Sequence, residues 1–184
     1  MKTNTTLPPA DLAMDITKRI VEQITLHPKD IKIQEERLGR LATITIQVNR
    51  GDMKRVIGSG GAHASAITRL IDMIGRSKGV QLKSRIIEPD SGSDDKNAQF
   101  VPKQEWNSAP VRAVINDICE TVFEYPATVE VHDGSNHLSV VDVAVSPDER
   151  KLLVDTMQPM LNPLVVAMGK VNGRHLSLNI APTV

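Results

Sequence analysis

One cysteine, four aromatic side chains and no apolar run of membrane-spanning length occur in these 184 residues. Each scarcity closes off a class of protein. A single cysteine, Cys119, cannot build an intrachain disulfide framework, so a reducing, cytoplasmic setting is expected. No apolar stretch approaches the ~20 residues that a membrane-spanning helix needs, and no membrane association is expected. The opening segment, ending in Pro8-Pro9, lacks the apolar core of a signal peptide. No aromatic residue precedes Phe100, so the first half offers no ring on which a planar ligand could stack.

Net charge is also absent, but the zero hides an asymmetry. Residues 1–90 hold 15 Lys and Arg against 10 Asp and Glu, and the remaining residues hold 7 against 12. A basic half joined to an acidic half fits a protein in which one half meets a polyanion and the other does not. Ordinary solvated surface gives the same numbers.

Periodicity supplies the elements. After a loose tail over residues 1–10, with Asp11 as a helix cap, Leu12, Ile16, Ile20, Val21 and Ile24 recur at helical spacing. Pro28 disfavours helical geometry at His27 and should stop the helix near Leu26. A strand begins at Ile31, Glu35 to Gly39 reads as a turn, and Ile44, Ile46 and Val48 alternate on one face of a second strand. Arg50-Gly51-Asp52 breaks that strand and caps a short helix. A glycine turn at 58–61, a longer helix through Ile74 and a strand over Val80–Ile87 follow. The order is α-β-β-α-α-β, an α+β class. Residues 89–106 read as a linker rich in turn formers, with Phe100 and Trp106 as anchors to one of the domains.

The second half, 107–184, repeats the first, 11–88. Val114 to Val122 overlays Ile16 to Ile24, and Tyr125-Pro126 overlays His27-Pro28. Asp133-Gly134 marks a hairpin turn. Asp148 to Leu153 matches Asp52 to Ile57, and Gly169 to Gly173 reproduces the Gly75 to Gly79 spacing. Cys119 aligns with Val21 and reads as core. The glycine turn itself is not repeated: Val154-Asp-Thr-Met157 stands in its place, and Pro159 and Pro163 should break up the helix beyond. Met157, Met160, Leu161 and Met168 read as core or as part of an interface.

Gly58-Ser59-Gly60-Gly61 is therefore the distinctive feature of the chain. Glycines allow a sharp turn and close backbone approach by a ligand, and the amides opening the next helix suit a phosphate. A plain helix–helix turn fits the glycines equally well. No Gly-Lys-Ser/Thr follows, as a nucleotide P-loop requires, and no strand precedes the turn, as a dinucleotide site requires. His27, His63, His132, His137 and His175 show no metal-ligand spacing with the cysteine, and no nucleophile motif is present. No enzyme, cofactor or metal is expected.

The run Asp52-Met-Lys-Arg-Val-Ile-Gly-Ser-Gly-Gly resembles the Val-Ile-Gly-x-x-Gly core of KH domains. Together with the preceding helix, His27-Pro28 and the strand pair, residues 12–88 resemble the small bacterial single-KH RNA-binding proteins of the KhpA kind, with type II order. The resemblance implies tandem type II KH-like domains, the second degenerate and without the Gly-x-x-Gly loop. It implies single-stranded RNA, messenger or small RNA, as partner, in post-transcriptional work. Gly58, Ser59, Gly60 and Gly61 would clamp the RNA backbone opposite a strand edge. The loop departs from the family in lacking Lys or Arg at its middle pair, so Lys54 and Arg55, with Arg50 and Arg69 nearby, must supply positive field. Each is equally a solvated helix residue. His63 could approach a phosphate when protonated, and Ile57 and Ile67 offer apolar contact or plain core. Without aromatic stacking, worth ~1–3 kcal/mol per base elsewhere, binding should be weak and poorly selective. With three or four phosphates engaged, its log–log salt slope should be about −2 to −3. The second half would contact the first, another subunit or a protein partner. The alternative is a KH-fold structural or interaction module that has lost RNA binding.

Overall fold

Apolar residues at helical spacing on two faces of α1 (Pro9–Ile24) set the architecture. In a computed structural model, which describes residues 7–88, 106–123 and 127–182, Ala13, Ile16, Ile20, Val21 and Ile24 of this helix are all buried. A helix apolar around so much of its circumference needs partners on two sides. It finds β1 (Lys32–Leu38) and β2 (Leu41–Gln47) on one side and helices of the second half on the other. α2 (Met53–Ile57), α3 (Ala62–Ser77) and β3 (Gln81–Ile87) complete the first half. α4 (Ala109–Val122), β4 (Thr128–Asp133), β5 (Leu138–Val145), α5 (Pro147–Thr156), α6 (Gln158–Val171) and β6 (His175–Pro182) make the second.

Each half holds a three-stranded sheet, ordered β1-β2-β3 and β4-β5-β6. In both, the first pair is antiparallel and the second parallel. Registers match as well: Ala42 faces Leu82 and Ile46 faces Ile86, as Ser139 faces Leu176 and Val143 faces Ile180. The same helix–strand junction appears twice. A Cβ on Gly75 would lie 2.8 Å from the Val80 carbonyl oxygen, and one on Gly169 would lie 2.7 Å from that of Arg174. Only glycine lets α3 and α6 pack this closely on the strands that follow them. α3 touches α6 and α4, α1 touches α4 and α6, and the buried apolar residues of both halves form one cluster. Arg19 of α1 also pairs with Asp117 of α4. The sheets therefore flank a shared helical layer.

Several sequence expectations need correction. α1 starts at Pro9, with Pro8 at the N-cap position, rather than after a cap at Asp11; proline's fixed φ suits a first helical turn. β1 continues through Glu35, Glu36 and Arg37 to Leu38, leaving Gly39 and Arg40 as the turn. It is an edge strand, where charged residues are tolerated. Pro159 and Pro163 do not break α6. Pro159 lies in the first turn, where its missing donor costs nothing, so only the bond from Pro163 is lost. Met157, Met160, Leu161 and Met168 are core. Trp106 anchors to the second half, its indole Nε1–H donating to Asp133 Oδ1 at 2.8 Å with the Arg174 guanidinium 5.5 Å from the ring. Phe100 and most of the expected linker lie outside the described residues.

Candidate nucleic-acid interface

α2 ends because its next residue cannot continue a right-handed helix. Gly58 has φ 76° and ψ 171°, a region that is nearly glycine-only. Gly60 and Gly61 follow with φ of 60° and 79°. Three positive-φ residues in four turn the chain through a 3₁₀ segment, Ser59–Gly61, into α3. Ser59 and Gly60 are exposed at the tip, ahead of any helical acceptor for their amides. At the matching place in the second half, Met157 has φ −83° and ψ −45°, and its N–H bonds the Leu153 carbonyl at 2.7 Å. α5 there runs into α6 without a glycine turn.

His63 is built into this turn. Its Nδ1 lies 2.6 Å from the Arg55 carbonyl oxygen, which can only accept, so Nδ1 carries the hydrogen. The ring lies across Gly58, where a Cβ would come within 2.6 Å of it. His63 thus ties the end of α2 to the start of α3.

Asp52 does a second structural job that its sequence position conceals. Its side chain does not cap α2. The fully buried carboxylate accepts instead from the N–H groups of Leu26 at 3.0 Å and His27 at 2.9 Å, and from His27 Nδ1 at 2.9 Å. The Arg55 guanidinium lies 3.5 Å from Oδ1 of the same carboxylate. This carboxylate fastens the exit of α1 to the entrance of α2, which places the glycine turn. Asp148, its sequence counterpart, is exposed. The match between the two residues does not extend to their roles.

A cleft of about 780 Å³ opens beside the turn. Lys54, Arg55, Gly58, Ser59 and His63 form one wall, with Ile24 and Leu26 also lining it. The rest of the lining comes from the end of α6 and its turn, Ala167, Lys170, Val171 and Gly173, and no strand residue lines it. Every lining residue with a permanent charge is cationic. Gly60, Gly61, Arg50, Ile57 and Arg69 do not line this cleft. Arg50 pairs with Glu88 at 3.5 Å, Arg69 is exposed along α3, and Ile57 is 39% exposed beside the loop. Ile67 is fully buried core. Lys170 was missed because only its glycine-bracketed turn is visible in the sequence, not what that turn faces. Among the described residues no cluster of three or more His, Cys, Asp or Glu could hold a metal. None of the described helices is long and apolar enough to cross a membrane.

No family model matches the chain. Two curated relatives, the RNA-binding protein KhpA of Listeria monocytogenes and that of Listeria innocua, are each 33% identical to it over 78 residues. That span is 42% of this chain and 97% of each relative. Among solved structures, the crystal structure of APE1850 covers 93% of this chain and 95% of its own at 13% identity. Its TM-score of 0.29 is too low to carry an argument.

Proposed function

Since this chain belongs to the KhpA family of RNA-binding proteins, we propose that it binds single-stranded RNA without catalysis. The Gly58–Gly61 loop of a type II KH-like first half would hold the RNA backbone. The second half is a KH-like copy without that loop. The carrying observation is the loop geometry: three left-handed glycines open α3 and leave Ser59 and Gly60 exposed at its tip. Such a turn offers backbone amides, with the helix dipole behind them, to a phosphate. Gly61 and Ile57 flank the tip, Lys54 and Arg55 add charge on the cleft side, and Arg50 and Arg69 lie further out.

The loop has no charged side chain of its own, so affinity should be micromolar or weaker, with little base preference. Messenger or small RNA in the cytoplasm is the target class. The second half's helices α4 and α6 are engaged with the first half, which supports intramolecular packing as their role.

Fluorescence anisotropy with a short single-stranded RNA tests this reading. The double variant Gly60→Asp, Gly61→Asp puts two carboxylates at left-handed positions that aspartate tolerates, with nothing within 4 Å of either Cβ. It should fold and lose at least ten-fold in affinity. Equal binding by the folded double variant would overturn the loop as the RNA site, and no binding by wild type would favour the second reading, a KH-fold interaction module without RNA binding. The uncharged Ser59-Gly60 pair is the observation on that side.

A further inference from the structure

We propose that the second half completes the RNA site: Lys170, at the end of α6, is a phosphate contact on the far wall of the cleft. A strand held by the glycine loop would then be gripped by both halves of the chain. The inference rests on the RNA-binding reading above and extends it to a residue of the half that lacks the loop.

The charge distribution carries the argument. Lys54 and Arg55 on one wall and Lys170 on the other are the permanent charges lining the cleft; no carboxylate lines it, and the buried Asp52 lies 3.5 Å from Arg55. Some exposed cations elsewhere are paired, Arg76 with Asp72 at 2.9 Å, Arg37 with Glu35 at 2.7 Å and Arg85 with Glu36 at 3.4 Å. Among the described residues, neither Lys54 nor Lys170 has such a partner. Like charges held across one cleft repel each other, and an anion between them removes that cost. A metal cation would meet only repulsion there.

The far wall is also firmly placed. Gly169 packs against the backbone of β6, and the Arg174 N–H closes on the Gly169 carbonyl at 2.9 Å. Gly173, with φ 68°, ends the helix abruptly. Lys170 therefore sits on a fixed last turn, where the helix dipole favours a cation. Its long side chain can reach into the open cleft without any change in the fold. Ser59 and His63 border the cleft on the loop side, so a phosphodiester strand leaving the loop enters it directly.

The test uses the full chain, a labelled short oligouridylate, and salt titrations of wild type, Lys170→Gln, the Gly60→Asp, Gly61→Asp double variant, and Lys151→Gln. Lys151 is an exposed lysine of the same half outside the cleft. One lost phosphate contact should flatten the log–log salt slope by about 0.7 and weaken binding about five-fold near 0.1 M salt. That result for Lys170→Gln, with Lys151→Gln like wild type, supports the inference. An unchanged slope for Lys170→Gln beside a large loss in the loop variant overturns it and leaves the glycine loop as the site. Equal losses for both lysine variants overturn it too, because net charge alone would explain them. Unchanged binding by all variants overturns both this inference and the glycine loop as the RNA site, and no binding by wild type removes the RNA-binding reading as well.

Discussion

Gly58 is the residue on which the loop turns, and two separate constraints meet there. Its φ and ψ lie where other residues pay about 1–3 kcal/mol, and the His63 ring occupies the space a Cβ would take. Gly58→Ala should therefore destabilise the protein by about 2–4 kcal/mol in urea unfolding. The same substitution in a His63→Ala background should cost less, because the steric part is relieved while the backbone part persists. Equal costs in both backgrounds would show that the ring contact is not limiting. A second prediction belongs to Asp133. The Ser139 hydroxyl above all, with the Trp106 indole N–H and the Arg174 charge, holds its carboxyl below the ordinary value against the opposing effect of burial. A carboxylate lowered on folding stabilises the fold above its unfolded pKa, and that contribution is lost as pH falls through the lower folded value. Fluorescence of Trp106, the single tryptophan, should hold steady down to the ordinary carboxylate range and change below it. Asp133→Asn, which keeps an acceptor but does not titrate there, should abolish that change.

Among the elements, the helix–strand junctions are where the two halves are most alike. Gly75 and Gly169 occupy equivalent places, each against the first residues of the following strand. Each helix ends with the same closing bond, Val80 N–H to the Gly75 carbonyl and Arg174 N–H to the Gly169 carbonyl, both 2.9 Å. Gly75→Ala and Gly169→Ala should therefore each cost about 1–3 kcal/mol, because the obstructing atoms are backbone and cannot swing aside. Similar shifts in urea midpoint would support one junction used twice; a neutral result at either site would break the equivalence. The α2–α3 and α5–α6 junctions show the opposite. There the two halves diverge, with three left-handed glycines in one and continuous right-handed backbone at Met157 in the other.

For the whole molecule, the shared helical layer decides how the chain behaves. α1 and α3 bury apolar residues in the same cluster as α4 and α6, so separating the halves would expose both faces to water. The chain should unfold in one transition. Trp106 fluorescence, which reports on the second half, should coincide with circular dichroism, which reports on all helices. Two resolved transitions would mean that the halves are independent domains. Cys119 gives a further check: it is buried in the last turn of α4, 3.9 Å from Met157 sulfur, and burial pushes its thiol up to about 12. A thiol reagent at neutral pH should label it only as fast as that global unfolding.

The sequence by itself determined what depends on near neighbours. Alternation at Ile44, Ile46 and Val48 marked β2, helical spacing from Ile16 to Ile24 marked α1, and the cluster from Gly58 to Gly61 marked the turn. The repeated glycine pair at the end of each long helix marked the helix–strand junction that both halves share. Where reading failed, a local preference met a tertiary setting that changed its meaning. Charged Glu35 to Arg37 suit an edge strand as well as a turn, and Pro159 suits a first helical turn as well as a helix break. Tertiary structure alone decided the Asp52 clamp and the cleft. Asp52 meets Leu26 and His27 across 25 or more residues, and Lys170 comes to line one cleft with Lys54 from the other half of the chain. Hydrophobic periodicity says which face of a helix is buried. It carries no information on which other helix covers that face, and that pairing is what brings Lys170 to the cleft beside the glycine loop.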